Sequence, residues 1–293
     1  MFHGLTLKEL ARRTWRRVLD HDCLGRAAQL GFYFTLALFP MLIFLLSVLS
    51  FLPQAPEIIL DWLATVMPRE AKSLLEAWIS SVVANRHGRL LSLGLLLSLW
   101  FASYGTGALM DALNRAYEVE EGRPFWKAQL VAIALTGALC LLVMGGAFVI
   151  AFGEKPAAWI VQALKLGNLF GILWLAFSYI VGFIMLAVGI GTMYYIAPNV
   201  QQHWQGILPG WLFALCGFLL ASFGFSLYLR HAPSYDITYG SLGAFIVLMI
   251  WLYFTGLILC VGGEINAEIQ RVAGEKIIEK ERSEPERKRA HGA

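Results

Sequence analysis

Two groups of polar residues are placed where they could do chemistry. The first is the short run Arg230-His-Ala-Pro-Ser-Tyr-Asp-Ile-Thr-Tyr239, which holds Arg230, Tyr235, Asp236 and Tyr239 between two apolar stretches. Arginine offers a planar fork of donors that matches phosphate, so this turn suits an anionic headgroup. The second group is Asp111, Asn114, Arg115, Asn199, Glu264 and Asn266, all at the ends of apolar stretches. Asp111, Asn114 and Arg115 share a helical face by their i, i+3 and i+4 spacing, and Arg115 is a reasonable partner for Glu264. Both groups also suit a plainer role, tying helix ends together at an interface.

Enzymatic signatures are missing from the sequence. It contains no phosphate-cradling Walker A loop, no dinucleotide-binding GxGxxG, no GxSxG elbow and no HExxH. The histidines (His3, His21, His87, His203, His231, His291) are scattered without ligand spacing. A nuclease needs a carboxylate or histidine cluster for metal and a basic surface for phosphates. Neither is visible, so no enzyme, no cofactor, no metal site and no nucleic-acid partner is expected. Cys23, Cys140, Cys216 and Cys260 show no paired spacing; three lie in apolar stretches, so no disulfide is expected.

The elements that must position these groups are membrane spans. Six stretches, about 27–52, 90–110, 128–152, 170–196, 206–229 and 240–263, contain no Asp, Glu, Lys, Arg or His. Each reaches the ~20 residues a helix needs to cross about 30 Å of hydrocarbon. With 293 residues and 58% hydrophobic residues, the chain is too apolar for an ordinary soluble domain. The expected fold is an all-α integral membrane protein with a six-helix domain over 27–263. The first span is too long for a signal-peptide core and is expected to remain as an anchor.

Charge placement predicts orientation. Residues 1–26, the loop after the second span, the 197–205 loop and the tail after Gly263 together carry sixteen Lys and Arg, against seven in 53–89, 153–169 and 230–239. By the positive-inside rule both termini are expected to be cytoplasmic.

Residues 1–26 form a basic amphipathic segment. Thr6 and Glu9 have capping-box spacing. Leu7, Leu10, Ala11, Trp15, Val18 and Leu19 are expected on one face, with Lys8, Arg12, Arg13, Arg16 and Arg17 on the other, a pattern that lies on an anionic leaflet. The 53–89 insert predicts a periplasmic helical hairpin. Its second helix starts near Pro68 and repeats apolar residues from Ala71 to Val83 at i, i+3, i+4 and i+7. The 153–169 loop is a smaller version of it. The charged tail, 264–293, begins as a helix and ends in a mixed-charge run expected to be disordered.

Close helix packing is signalled in the fifth span. Gly206, Gly210 and Ala214 make two small-xxx-small steps, and Gly217 with Ala221 makes another, a spacing that lets backbones approach where no hydrophobic effect drives association. Pro40 and Pro209 lie in or at the start of spans, where neighbours can satisfy freed carbonyls.

Several of these segments together resemble the YihY/virulence factor BrkB family of bacterial inner-membrane proteins. They are Ala27-Ala-Gln-Leu-Gly-Phe-Tyr33, Leu38-Phe-Pro40, Asn114-Arg-Ala-Tyr117 and Arg123-Pro-Phe-Trp126. Leu208-Pro-Gly210, Ser226-Leu-Tyr228, Tyr239-Gly-Ser-Leu-Gly243, Trp251-Leu-Tyr253 and Gly262-Gly-Glu-Ile-Asn266 complete the resemblance, which covers about 25–270. It implies six spans and no settled biochemical activity. Some members carried a ribonuclease BN label, which the residues here do not support; others are linked to serum resistance or lipopolysaccharide precursors. The family has no agreed catalytic residues to carry over.

The leading functional expectation is transport or handling of a lipid-like amphiphile in envelope biogenesis. A headgroup would slide past Ser103, Tyr104, Thr106, Ser178, Tyr179, Ser222 and Ser226 while its tails stay in the bilayer. The alternative is a non-enzymatic scaffold that binds a periplasmic or envelope protein through 53–89 or the tail. An ion-coupled solute transporter is disfavoured by the missing intramembrane charge.

Overall fold

In the computed structural model, residues 6–49, 88–164, 167–231, 235–274 and 280 are described. Their regular elements are seven helices: α1 (Leu7–Asp20), α2 (Cys23–Leu49), α3 (Gly88–Ala116), α4 (Phe125–Leu164), α5 (Gly167–Ile196), α6 (Trp204–His231) and α7 (Tyr235–Val272). Helices α2 to α7 follow the six charge-free stretches. Four segments of them are long and apolar enough to cross a membrane: Phe125–Gly145, Ile172–Ile196, Trp204–Tyr228 and Phe245–Val272. Of the expected 53–89 hairpin, residues 53–87 lie outside the described residues, and Gly88 and Arg89 open α3. The backbone of α4 stays helical to Leu164, past the expected span end at Phe152.

The chain divides into two compact units, and four helices are shared between them. The first unit comprises Met1–Ala37, Ala102–Thr136 and Ala187–Ala293. Its principal pairings are α6 with α7 and α1 with α7. The second comprises Leu38–Phe101 and Gly137–Leu186. There Met185 Cε lies 3.1 Å from where a Cβ on Gly145 would sit, so the missing side chain admits the thioether. Within α5, the Ser178 hydroxyl donates to the Trp174 carbonyl at 3.0 Å, a local satisfaction expected where no water is present.

In the first unit, α6 and α7 meet through glycine. A Cβ on Gly210 would overlap the Gly262 carbonyl oxygen, and one on Gly262 would overlap the Tyr194 hydroxyl. Ala214 is fully buried, and a Cβ on Gly217 would touch Ile258 at 3.0 Å. Gly206 is covered by the Gln270 amide. Pro209 interrupts the amide ladder of α6, and the next amide, Gly210 N–H, donates to Asn266 Oδ1 on α7 at 2.6 Å. Ala221 is half-buried one turn beyond Gly217, beside Ser222, whose hydroxyl accepts from the Trp251 indole at 3.3 Å.

Helix α1 begins as its sequence requires. The Thr6 hydroxyl accepts from Glu9 N–H at 3.3 Å, and the Glu9 carboxylate accepts from Thr6 N–H at 3.2 Å. It ends at His21, followed by Asp22 with φ at 50°. The Asp22 carboxylate then accepts from Gly25 N–H at 3.2 Å in the first turn of α2.

The expected division of α1 into one apolar and one basic face does not hold. Leu10, Thr14, Arg17, Val18 and His21 are buried, whereas Trp15 and Leu19 are exposed. These buried positions fall within about 120° of arc at 100° per residue, so the docked face mixes apolar and charged side chains. A buried acid on α7 explains why an arginine lies inside.

Candidate functional site

That acid is Glu264, on the first helical turn after the charge-free stretch of α7. Its carboxylate is 1% exposed and accepts from Arg17 Nε at 3.0 Å. The His21 Nδ1 lies 2.6 Å from its other oxygen, which also receives the Cys23 thiol at 3.8 Å. Arg17 spends its remaining donors on Glu118 (3.1 Å) and the Ala116 carbonyl (2.5 Å). One guanidinium therefore joins α1, α7 and the C-terminal end of α3, a use of the planar fork that lysine cannot copy.

The end of α3 is shaped for this. Val119 N–H donates to the Asn114 carbonyl and Glu118 N–H to the Arg115 carbonyl, both at 3.0 Å, which is a Schellman closure. The left-handed position of that closure, φ 55°, holds Glu118 where glycine is usual. Glu118 is kept there by Arg271 at 2.7 Å and Arg17 at 3.1 Å, with His21 Nε2 at 3.4 Å. The hydrogen bond from Arg271, followed by the charges of Arg271 and Arg17, holds its carboxyl down at about 2. Glu268 extends the network, 3.8 Å from Arg17 and 3.7 Å from Arg13. Three arginines and three glutamates thus balance before His21 is counted.

A second cationic pair closes α5. Arg123 Nη2 donates to the Ala197 and Pro198 carbonyls at 3.3 and 3.0 Å. Lys280 Nζ donates to the carbonyls of Tyr195 (3.2 Å) and Pro198 (3.0 Å). Cations at a helix C-terminus satisfy its open carbonyls and oppose its dipole. Burial against this helix end, with Arg123 beside it, lowers the Lys280 amine to about 8.

Of the residues singled out in the sequence, Asn114 and Asn199 meet directly. Asn199 N–H donates to Asn114 Oδ1 at 2.6 Å, and Asn114 donates to Glu121 at 2.9 Å. Asn266 is engaged with Gly210 on α6, and its Nδ2 is buried without a hydrogen-bond partner. Asp111 and Arg115 remain exposed, apart from buried Asn114. Crowding by protein atoms around its carboxyl, then the charge of Glu121, raises Asp111 above the usual carboxylate range. The expected Arg115–Glu264 pair is not formed, because Arg17 and His21 occupy the Glu264 carboxylate. Arg230 lies in the last turn of α6, and Tyr235, Asp236 and Tyr239 in the first turns of α7. Their side chains lie outside the described residues.

Sequence reasoning missed Arg17, His21, Glu118, Glu268 and Arg271. One signal was available: Arg13, Arg17 and His21 recur at i, i+4 and i+8, one face of a helix.

Apolar helices with charge gathered at their ends define an all-helical membrane protein. The chain belongs to the virulence factor BrkB family, whose sequence model matches residues 14–289. It is 36% identical over 265 residues to a ribonuclease-like protein, YfkH, of Bacillus subtilis (strain 168), covering 90% of this chain and 95% of that one. It is also 29% identical over 260 residues to a UPF0761 membrane protein of Tolumonas auensis, covering 87% and 83%. No solved structure matches the chain.

Proposed function

We propose that this membrane protein binds and moves a lipid-like amphiphile, without making or breaking covalent bonds, in a bacterial inner membrane with both termini in the cytoplasm. One observation carries the reading: two polar contacts between the described parts of α3 and α4, where the helices become apolar, join uncharged side chains. Gln129 Nε2 donates to the Ser103 hydroxyl at 2.7 Å, and the hydroxyls of Thr106 and Thr136 lie 2.7 Å apart. Gln129 and Thr136 lie in the apolar segment Phe125–Gly145. A headgroup displacing such contacts exchanges neutral hydrogen bonds for similar ones, and no fixed charge traps it. Six spans, inferred from the charge-free stretches, would leave its tails in contact with lipid throughout.

The name of the Bacillus relative raises RNA cleavage. Glu118 and Glu264, the carboxylates beside His21, are both engaged by Arg17, which supports a structural role for them over metal binding.

The test is reconstitution of the purified chain into liposomes containing a headgroup-labelled phospholipid or a labelled lipid A precursor. Label should become accessible to a membrane-impermeant reductant faster than in protein-free liposomes. Failure both to bind and to move either lipid would overturn the proposal, as would release of nucleotides from RNA by the same preparation.

A further inference from the structure

Helix α1 has a second face, opposite the one docked on α7. At 100° per residue the docked residues centre between Leu10 and Thr14. The opposite arc holds Lys8, Arg12, Trp15, Arg16 and Leu19. All five are exposed, Trp15 by 61% and Leu19 by 53%. The two apolar residues are four apart and adjoin on the helix surface, with Arg12 and Arg16 along one flank and Lys8 about two turns before Trp15. The acids of α1, Glu9 and Asp20, border this arc beside Arg16 without entering it; Glu9 is tied to Thr6 and also feels the charge of Arg12. Among the described residues, Lys8, Arg12 and Arg16 form no ion pair, whereas Arg13 and Arg17 on the flank and dock do.

We infer that this outward face, Trp15 and Leu19 flanked by Lys8, Arg12 and Arg16, is a binding surface for anionic phospholipid headgroups. An indole half in water and half in acyl chain is suited to the headgroup level, and two arginine forks one turn apart on the same flank fit phosphodiesters. Charge complementarity selects anionic lipid over an acidic protein because the apolar patch is a single Trp–Leu pair, too small for a protein hot spot. The docking of α1 through Arg17 pre-orients the face, so no helix has to fold on binding. It differs from the expectation raised by the sequence: Leu10 and Val18 do not reach the lipid, and Arg17 is not a lipid-facing cation. The inference does not depend on lipid movement, because a scaffold would use the same surface.

The test uses the full chain carrying Trp15→Cys and Cys216→Ser, labelled with bimane. Cys23, Cys140 and Cys260 are buried, so the label goes to position 15. The protein is placed in phosphatidylcholine nanodiscs with either phosphatidylglycerol or phosphatidylcholine carrying a headgroup-level nitroxide. Phosphatidylglycerol should quench bimane more strongly than phosphatidylcholine, and added salt should reduce the difference. Arg12→Gln with Arg16→Gln should lower the preference by about fivefold per arginine removed, given roughly 1 kcal/mol per basic residue near an anionic surface. The salt series on the unsubstituted arginines keeps the test independent of how that variant folds. Equal quenching by both lipids at low salt would overturn the anionic assignment. Absence of quenching by either would overturn the surface itself.

Discussion

Arg17 and Glu264, 247 residues apart, meet with Nε 3.0 Å from Oε2, and both are buried. A charge removed from water costs several kcal/mol unless it is paired and its remaining polar atoms are bonded. Arg17 satisfies its own through Glu118 and the Ala116 carbonyl, and Glu264 through His21 and Cys23. The pair is therefore a joint that fails when either half is removed.

Arg17→Ala and Glu264→Ala should each destabilise the protein by about 3–5 kcal/mol, because each leaves one buried charge unmatched. Arg17→Lys should recover only part of this, since an ammonium cannot reach Glu264, Glu118 and Ala116 together. Replacing both with apolar residues of similar volume should cost much less than the sum of the single changes. Thermal unfolding of the purified variants in detergent, read as a double-mutant cycle, measures the coupling. Additive single losses would show that the pair does not act as a unit.

Glu118 gives the network an acid limit. Its carboxyl is held at about 2, below the ordinary 4.5, first by the Arg271 hydrogen bond. A folded-state value below the unfolded one contributes stability that is in place above about 4.5 and is lost as pH falls towards 2. The carboxylate is half exposed, so the effect is modest and weakens with salt. Unfolding temperatures measured from neutral pH downwards should therefore decline for the wild type through that window. Glu118→Gln should start lower and decline less. Identical acid profiles for the two proteins would remove Glu118 from the network.

These relationships were unevenly legible in the sequence. Charge-free stretches foretold where α2 to α7 lie, because an apolar run long enough to span hydrocarbon has few other uses. Gly206, Gly210 and Ala214 had a spacing that reports close packing; the two glycines face Gln270, Gly262 and Asn266 of α7, and Ala214 is fully buried. Asn114 and Asn199 were picked out as polar residues at helix ends, yet nothing local told that one accepts from the other. Arg17 was assigned to the basic, leaflet-facing side because amphipathicity is judged by residue type, and the buried acid that draws it inward lies on another helix. Glu118 escaped notice because a left-handed glutamate is defined by backbone geometry, which local propensity assigns to glycine.

The α6–α7 contact separates glycines that matter from those that do not. A Cβ on Gly210 would overlap the Gly262 carbonyl oxygen, a backbone atom that cannot rotate away. Gly210→Ala should therefore push the helices apart and lose the hydrogen bond to Asn266, lowering stability by about 2–4 kcal/mol. Gly107 and Gly137 have open space where a Cβ would stand, so alanine there should be neutral or stabilising by up to about 1 kcal/mol. Thermal unfolding in one detergent for all three variants tests the ordering. A Gly210→Ala protein as stable as Gly107→Ala would show that α6 and α7 are not in backbone contact.

The uncharged α3–α4 contacts link structure to the proposed activity, and stability and function should part company there. Hydrogen bonds between membrane helices average only about 0.6 kcal/mol in double-mutant cycles. Ser103→Ala with Gln129→Leu should therefore unfold within a few degrees of the wild type. If a headgroup exchanges with these groups as it passes, the same variant should move labelled phospholipid several-fold more slowly in liposomes. Thr106→Val with Thr136→Val, which removes the neighbouring pair and roughly keeps its volume, should behave likewise. Thr35→Val is the control, since that hydroxyl is buried but donates only to the Gly31 carbonyl of its own helix, at 2.7 Å. Equal slowing by the control would mean that the loss reflects general loosening of the helices. Undiminished movement in both α3–α4 variants would take the headgroup path elsewhere, even if lipid transport itself were real.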